Sequence, residues 1–136
     1  MNPRDPDAQD RPGRPLVLLV EDNDSIGRSM AKLLEAYDFE VILVTTGAEA
    51  VAAMRSGTHP DFVLTDLRLP DLDGREVVLA ARQLDPPPRV ALISGWDVDL
   101  GDTAAWGIEW FFPKPLNVPD LVAKLRTPRR GPEPHD

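Results

Sequence analysis

The chain has no cysteine, which excludes disulfides, thiolate metal sites and cysteine nucleophiles. Histidine is almost as scarce. His59 and His135 are the only two, far apart in sequence, and the second falls in a polar tail. No zinc site built on histidine is expected. Basic charge is in deficit: 15 Lys and Arg stand against 23 Asp and Glu, a formal net charge of -8. A nucleic-acid-binding module needs the opposite balance to displace counterions. No apolar run is long enough to span a bilayer. Met1–Pro15 is polar and proline-rich and lacks the apolar core of a secretory signal. The expectation is a soluble, cytoplasmic protein that contacts neither nucleic acid nor membrane directly.

What is present suits one domain. The length is 136 residues and the apolar fraction 42%, enough for one compact core. Residues 1–15 and 127–136 (the latter TPRRGPEPHD) are expected to be disordered tails, because neither buries enough apolar surface to offset chain entropy. The folded unit is expected over 16–126. Within it, short apolar runs at Leu16–Val20, Val41–Val44, Phe62–Thr65, Val90–Ile93 and Trp110–Phe112 read as buried parallel strands.

Segments of helical spacing alternate with these strands. Ile26, Met30, Leu33, Leu34 and Tyr37 follow the 3.6-residue period, with Asp24 or Ser25 available as N-cap. A second helix starts at Thr46, with Glu49 three residues on in a capping-box pattern, and ends near Gly57. A third runs from about Arg75 to Leu84 and is stopped by Pro86, Pro87 and Pro88. A last one runs from about Val118 to Arg126. Between Trp96 and Trp110 the glycine-interrupted sequence leaves room for only a short helix. Trp106 and Trp110 read as packing residues. Strand–helix alternation of this kind implies an α/β fold with a parallel sheet covered on both faces. Function in such sheets gathers at the carboxyl ends of the strands.

Four strands deliver polar groups to that edge: Glu21-Asp22 after strand one, Asp66 after strand three, Ser94 after strand four and Lys114 after strand five. Carboxylates from neighbouring strands repel by several kcal/mol at intermediate dielectric. A hard divalent cation offsets this, and Mg²⁺ is the abundant candidate that leaves room for waters and phosphate. Asp22 and Asp24 also suit the start of a helix, where the dipole favours acids. In the stretch Asp66-Leu-Arg-Leu-Pro-Asp-Leu-Asp-Gly74, Asp73-Gly74 reads as a left-handed turn, and Asp66 as a carboxylate nucleophile followed by a loop able to offer a carbonyl to a metal and amides to a phosphoryl oxygen. Ser94-Gly95 places a hydroxyl nearby. Phe111-Phe112-Pro113-Lys114-Pro115 presents an ammonium, and a cis Lys114–Pro115 bond would fix its direction.

In that order and at those strand ends, Glu21-Asp22, DLRLPDLDG, ISG and FFPKP resemble the receiver domains of two-component response regulators, over about Leu16 to Arg126. The resemblance implies a flavodoxin-like (βα)5 doubly wound sheet of order 2-1-3-4-5. It implies Asp66 as phosphoacceptor, Asp22 as a direct Mg²⁺ ligand, Glu21 acting through a water, and the Arg68 backbone carbonyl completing the protein ligands. Ser94 is then the switch hydroxyl, Lys114 the phosphate-binding cation and Phe111 the switch aromatic. Arg68 and Trp96, each two residues beyond Asp66 and Ser94, take the positions that tune phosphoryl lifetime, and bulky Trp96 is expected to shield the phosphate.

The implied partners are a histidine kinase or histidine phosphotransfer protein and a downstream effector. The implied assembly is a monomer or a phosphorylation-dependent homodimer. Because the sequence stops about ten residues after the last helix, a stand-alone module is expected, not a conventional enzyme. The alternative is a degenerate receiver serving only as a protein-binding scaffold. An aspartate-nucleophile phosphatase is disfavoured by Arg68, which stands where that chemistry wants an acid, and no Gly-rich phosphate loop is present.

Overall fold

A computed structural model describes residues 14–95 and 107–128. Five strands, β1 (Leu16–Val20), β2 (Glu40–Val44), β3 (Phe62–Asp66), β4 (Arg89–Ser94) and β5 (Trp110–Pro113), form one sheet of order β2-β1-β3-β4-β5. Every neighbouring pair is parallel. Four described helices connect and cover it: α1 (Asp24–Ala36), α2 (Gly47–Arg55), α3 (Gly74–Arg82) and α4 (Val118–Leu125). This is the flavodoxin-like arrangement. The short helix expected between β4 and β5, Trp96, Trp106 and nearly all of both expected tails lie outside the described residues.

Strand side chains alternate between two apolar layers. Val17, Leu19 and Leu64 join Met30 and Leu34 of α1 and Leu121 and Leu125 of α4. Leu18, Val20 and Val63 join Ala50 and Met54 of α2 and Val77, Val78 and Ala81 of α3. Burial on both faces is why these strands read as unbroken apolar runs and not as polar–apolar alternation. At the starting edge of the sheet, Arg89 is buried. It grips both carboxylate oxygens of Glu109 at 2.9 and 2.6 Å and stacks over the Trp110 ring, 4.7 Å from its centroid. It also donates to the carbonyls of Thr127 at 2.7 Å and Pro128 at 3.4 Å, fixing the first two residues of the expected C-terminal tail. Trp110 is half-buried against Phe62, the packing role read from the sequence.

Four local expectations need correction. The cap of α1 is Asn23, whose side chain accepts from the Ile26 N–H at 3.0 Å. Asp24 lies inside the first turn and pairs with Arg28. The 3.6-residue stripe of α1 is only partly core: Met30 and Leu34 are buried, but Ile26 and Leu33 are 51% and 48% exposed. They rotate off the sheet to line an open groove of about 550 Å³ with Met30, Leu116 and Val118. Thr46 does cap α2, accepting from the Glu49 N–H at 3.1 Å. The reciprocal Glu49 carboxylate accepts chiefly from the Thr45 N–H at 2.9 Å, one residue earlier than a capping box requires, and the Thr46 N–H contributes less. Finally, Gly74 has no positive φ. It is the first residue of α3, capped by Asp73, and its lack of a side chain serves close approach.

Asn23→Ala should therefore cost about 1 kcal/mol, the usual worth of a lost N-cap, while Ser25→Ala changes stability by less than about 0.5 kcal/mol. Urea unfolding of the two variants separates them. Equal losses would return the cap to the residues after Asn23.

Candidate functional site

The carboxyl ends of the strands bring the sequence-predicted residues together. The Glu21 N–H continues the ladder past β1 by donating to the Val44 carbonyl at 3.0 Å. This turns the Glu21 side chain inward, where it is 5% exposed and accepts from the Asn23 N–H at 3.1 Å. Asp22 next to it is exposed, and Asp66, the last residue of the wholly buried β3, is 7% exposed. One carboxylate oxygen from each of Glu21, Asp22 and Asp66 lies within 4.8 Å of the other two.

Lys114 comes from the opposite side. Its N–H donates to the Ser94 carbonyl at 2.9 Å, prolonging the β4–β5 ladder, and its ammonium reaches the Asp66 Oδ2 at 2.6 Å. The Lys114–Pro115 bond is cis. Ser94 is buried at the same edge, opposite Pro113 in the register. Phe111 is half-buried on β5, opposite Leu92.

The electrostatics follow from this crowding. Burial pushes the Glu21 carboxyl above its usual range; the Asn23 N–H and Lys114 oppose the shift, and the charges and hydrogen bonding of Asp66 and Asp22 add to it. Burial alone would lower the Lys114 ammonium, but its bond to Asp66 and the negative field of Asp66, Glu21 and Asp22 prevail, and its proton is held more tightly than usual. Three carboxylates against one ammonium leave two negative charges uncompensated when all are ionised. The donors are hard oxygens, and Asp22 keeps one side open to water. Such a set fits a divalent cation of the Mg²⁺ kind, which prefers carboxylates and retains waters.

The loop after Asp66 is a small hairpin. Arg68 and Asp73 form an isolated antiparallel bridge, and the Gly74 N–H donates to the Leu67 carbonyl at 2.7 Å. A Cβ on Gly74 would lie 2.4 Å from the Asp66 carbonyl oxygen and 2.9 Å from the Leu67 Cα. The helix start is thus pressed against the backbone of the phosphoacceptor candidate. At the hairpin tip, Asp71 accepts from the N–H groups of Gly47 at 2.9 Å and Ala48 at 2.8 Å. Sequence reasoning missed this contact and the Arg89 clamp, since neither carries a local signal; the partners are 23 or more residues away from Asp71 and 20 or more from Arg89.

The family model for the response regulator receiver domain matches residues 17–126. Among curated proteins, the transcriptional regulatory protein PrrA of Mycobacterium tuberculosis is 34% identical over 124 residues, which cover 86% of this chain and 52% of that protein. A response regulator receiver protein of Anaeromyxobacter is 34% identical over 77% of this chain and 44% of its own length. The sensor kinase CckA of Brucella abortus is 29% identical over 88% of this chain but 13% of its own. The chain therefore spans about half, or less, of the curated relatives it matches. Among solved structures, a CheY-like response regulator receiver domain from Methylobacillus flagellatus superposes with a TM-score of 0.74 at 30% identity, covering 82% of this chain and 95% of that one. Fold, strand-end residues and sequence relatives agree: the chain belongs to the response regulator receiver domain family.

Proposed function

We propose that this domain is the phosphoacceptor of a two-component or phosphorelay pathway, phosphorylated on Asp66 in a Mg²⁺-dependent reaction, and that it signals by phosphorylation-dependent binding to another protein. The observation that carries the reading is the meeting of acids from two strands with the Lys114 ammonium from a third. Asp22 and Asp66 would hold the ion directly, the Arg68 carbonyl would complete the protein ligands, and Glu21 would act through a water. When bound, Mg²⁺ cancels the excess acid charge and stabilises charge on the transferring phosphoryl oxygens.

The chain's own residues do the rest. An Asp66 carboxylate oxygen attacks the phosphorus of a phosphohistidine on a kinase or phosphotransfer protein. The O–P bond forms as the N–P bond breaks, and the departing imidazole takes up a proton. Little bond-making chemistry is asked of the protein, so positioning and charge dominate. Lys114, already within hydrogen-bond distance of Asp66, transfers its contact to a phosphoryl oxygen. The Ser94 hydroxyl donates to another. Its movement makes room for Phe111 to turn inward, and this biases a two-state surface around β5. Beyond slow hydrolysis of its own acyl phosphate, the domain turns nothing over. It works in the cytoplasm, and no helix among the described residues is long and apolar enough to cross a membrane.

The test is intact-mass measurement after incubation with a small phosphodonor. One phosphoryl group is expected with Mg²⁺ and none when a chelator replaces the ion. Uptake that ignores the chelator would remove the metal from the mechanism. No uptake under any condition, from small donor or kinase, would leave only a protein-binding scaffold.

A further inference from the structure

The hairpin 68–73 carries the Arg68 carbonyl assigned above to the metal, and it is held at both ends. At its base, the Arg68–Asp73 bridge and the Gly74 N–H bond to Leu67 close the ring. Its tip rests on α2, an element with no residue in the acid cluster. There the Asp71 carboxylate takes the first two amides of α2, one on each oxygen. Leu72 packs so tightly beneath that a Cβ on Gly47 would come within 2.3 Å of its Cδ1. The Ala48 N–H, opposed by burial and helped by the Gly47 N–H, holds the Asp71 carboxyl below its usual range. Thr46 and Glu49 already satisfy other amides at this helix start. Asp71 is the group that ties the helix to the loop.

We propose that Asp71 is a positioning residue for the metal site: by clasping the start of α2 it fixes the hairpin tip, and so holds the Arg68 carbonyl in register with Asp66. The proposal rests on the phosphoacceptor reading above, with Arg68 as a ligand. A hairpin released at its tip keeps Leu69 and Leu72 packed beside the core, but the bridge at its base is a single isolated one, and Arg68, a member of that bridge, gains freedom with it. A carbonyl that must be ordered on ion binding binds more weakly, because the ordering entropy falls on the binding step. Groups that orient ligands without touching the metal are typically worth tenfold or more in affinity.

The experiment titrates Mn²⁺, a stand-in of similar oxygen preference, into the full chain and reads the EPR signal of the free ion. Asp71→Ala should weaken binding about tenfold, and Asp71→Asn, which keeps one acceptor oxygen, should fall between. Thr46→Ala removes the other side-chain cap of the same helix and leaves the tether intact. It should lower the melting temperature as Asp71→Ala does, with unchanged Mn²⁺ affinity. Wild-type affinity in Asp71→Ala, or equal weakening in Thr46→Ala, would overturn the proposal. If Asp71→Ala does not fold, the Asp71→Asn and Thr46→Ala comparison decides by the same criterion. A wild-type chain that leaves the Mn²⁺ signal at its free intensity would overturn the metal site itself, and the proposal with it, before any variant is compared.

Discussion

Asp66→Asn is expected to abolish phosphoryl uptake from a small donor in the presence of Mg²⁺, where the wild-type chain should gain one group. The expected difference is all or none, because the amide has no carboxylate oxygen to form the acyl phosphate and no neighbour replaces it. Glu21 and Asp22 lie close enough to share an ion with Asp66, but the ammonium of Lys114 bonds to Asp66 at 2.6 Å. A phosphoryl group on Asp66 is thus the one that meets a cation already in place. The substitution also removes one of three acids that repel one another, so it should not unfold the domain. Asn Oδ1 can still accept from Lys114. Circular dichroism with a wild-type melting profile, beside an intact mass without phosphate, is the expected pair of results. Equal phosphorylation of Asp66→Asn would move the nucleophile elsewhere and sink the mechanism.

Gly74→Ala is expected to be more damaging than the same change at Gly27, Gly47, Gly57 or Gly107. Helix propensity alone favours alanine, by up to about 1 kcal/mol in a helix interior and less at a first position. Against this, the new Cβ would sit 2.4 Å from the Asp66 carbonyl oxygen, 2.9 Å from the Leu67 Cα and 3.0 Å from the Leu67 oxygen. All three are backbone atoms, so no side chain can swing aside. Either α3 retreats from β3 or the end of β3 shifts. Overpacking of this kind costs roughly 1–3 kcal/mol, and an entirely backbone clash belongs at the upper end. A loss of about 3 kcal/mol lowers the melting temperature by roughly 15 °C in a domain of this size. Mn²⁺ affinity should fall as well, because the carbonyl under pressure belongs to Asp66, a member of the acid cluster. A variant within about 0.5 kcal/mol of wild type, the range of an uninvolved surface change, would show that the close approach is not structurally required.

The same glycine illustrates where sequence reading stops. Asp73-Gly74 has the composition of a left-handed turn, and nothing local distinguishes that use from a glycine needed for contact with a strand eight residues earlier. The strands were legible because burial on both faces leaves apolar runs, and the acids, Ser94 and Lys114 were legible because each falls within two residues of the end of such a run. The α1 stripe was half misleading. Period specifies that Ile26, Met30, Leu33 and Leu34 share a side, but not how far the sheet extends beneath them. Ile26 and Leu33 overhang it. Asn23 and Asp24 are chemically near-equivalent caps, and only the backbone turn, with Asn23 extended at φ -86 and ψ 108, decides between them. Asp71 and Arg89 were invisible for a different reason. Their partners are set by topology, and a lone sequence offers no signal for a contact across 23 residues.

Strand β4 has a division of labour that Arg89 makes explicit. One extremity is bolted: a guanidinium seated on an aromatic ring secures Glu109 and two carbonyls past α4. The other extremity bears the buried Ser94, at the sheet edge that also carries the acids. Thr127 and Pro128 are accordingly held at the margin remote from the chemistry, about 16 Å away by strand rise over the five steps from Arg89 to Ser94. Arg89 thereby keeps Pro128, the last described residue, away from the edge at which a phosphodonor would approach.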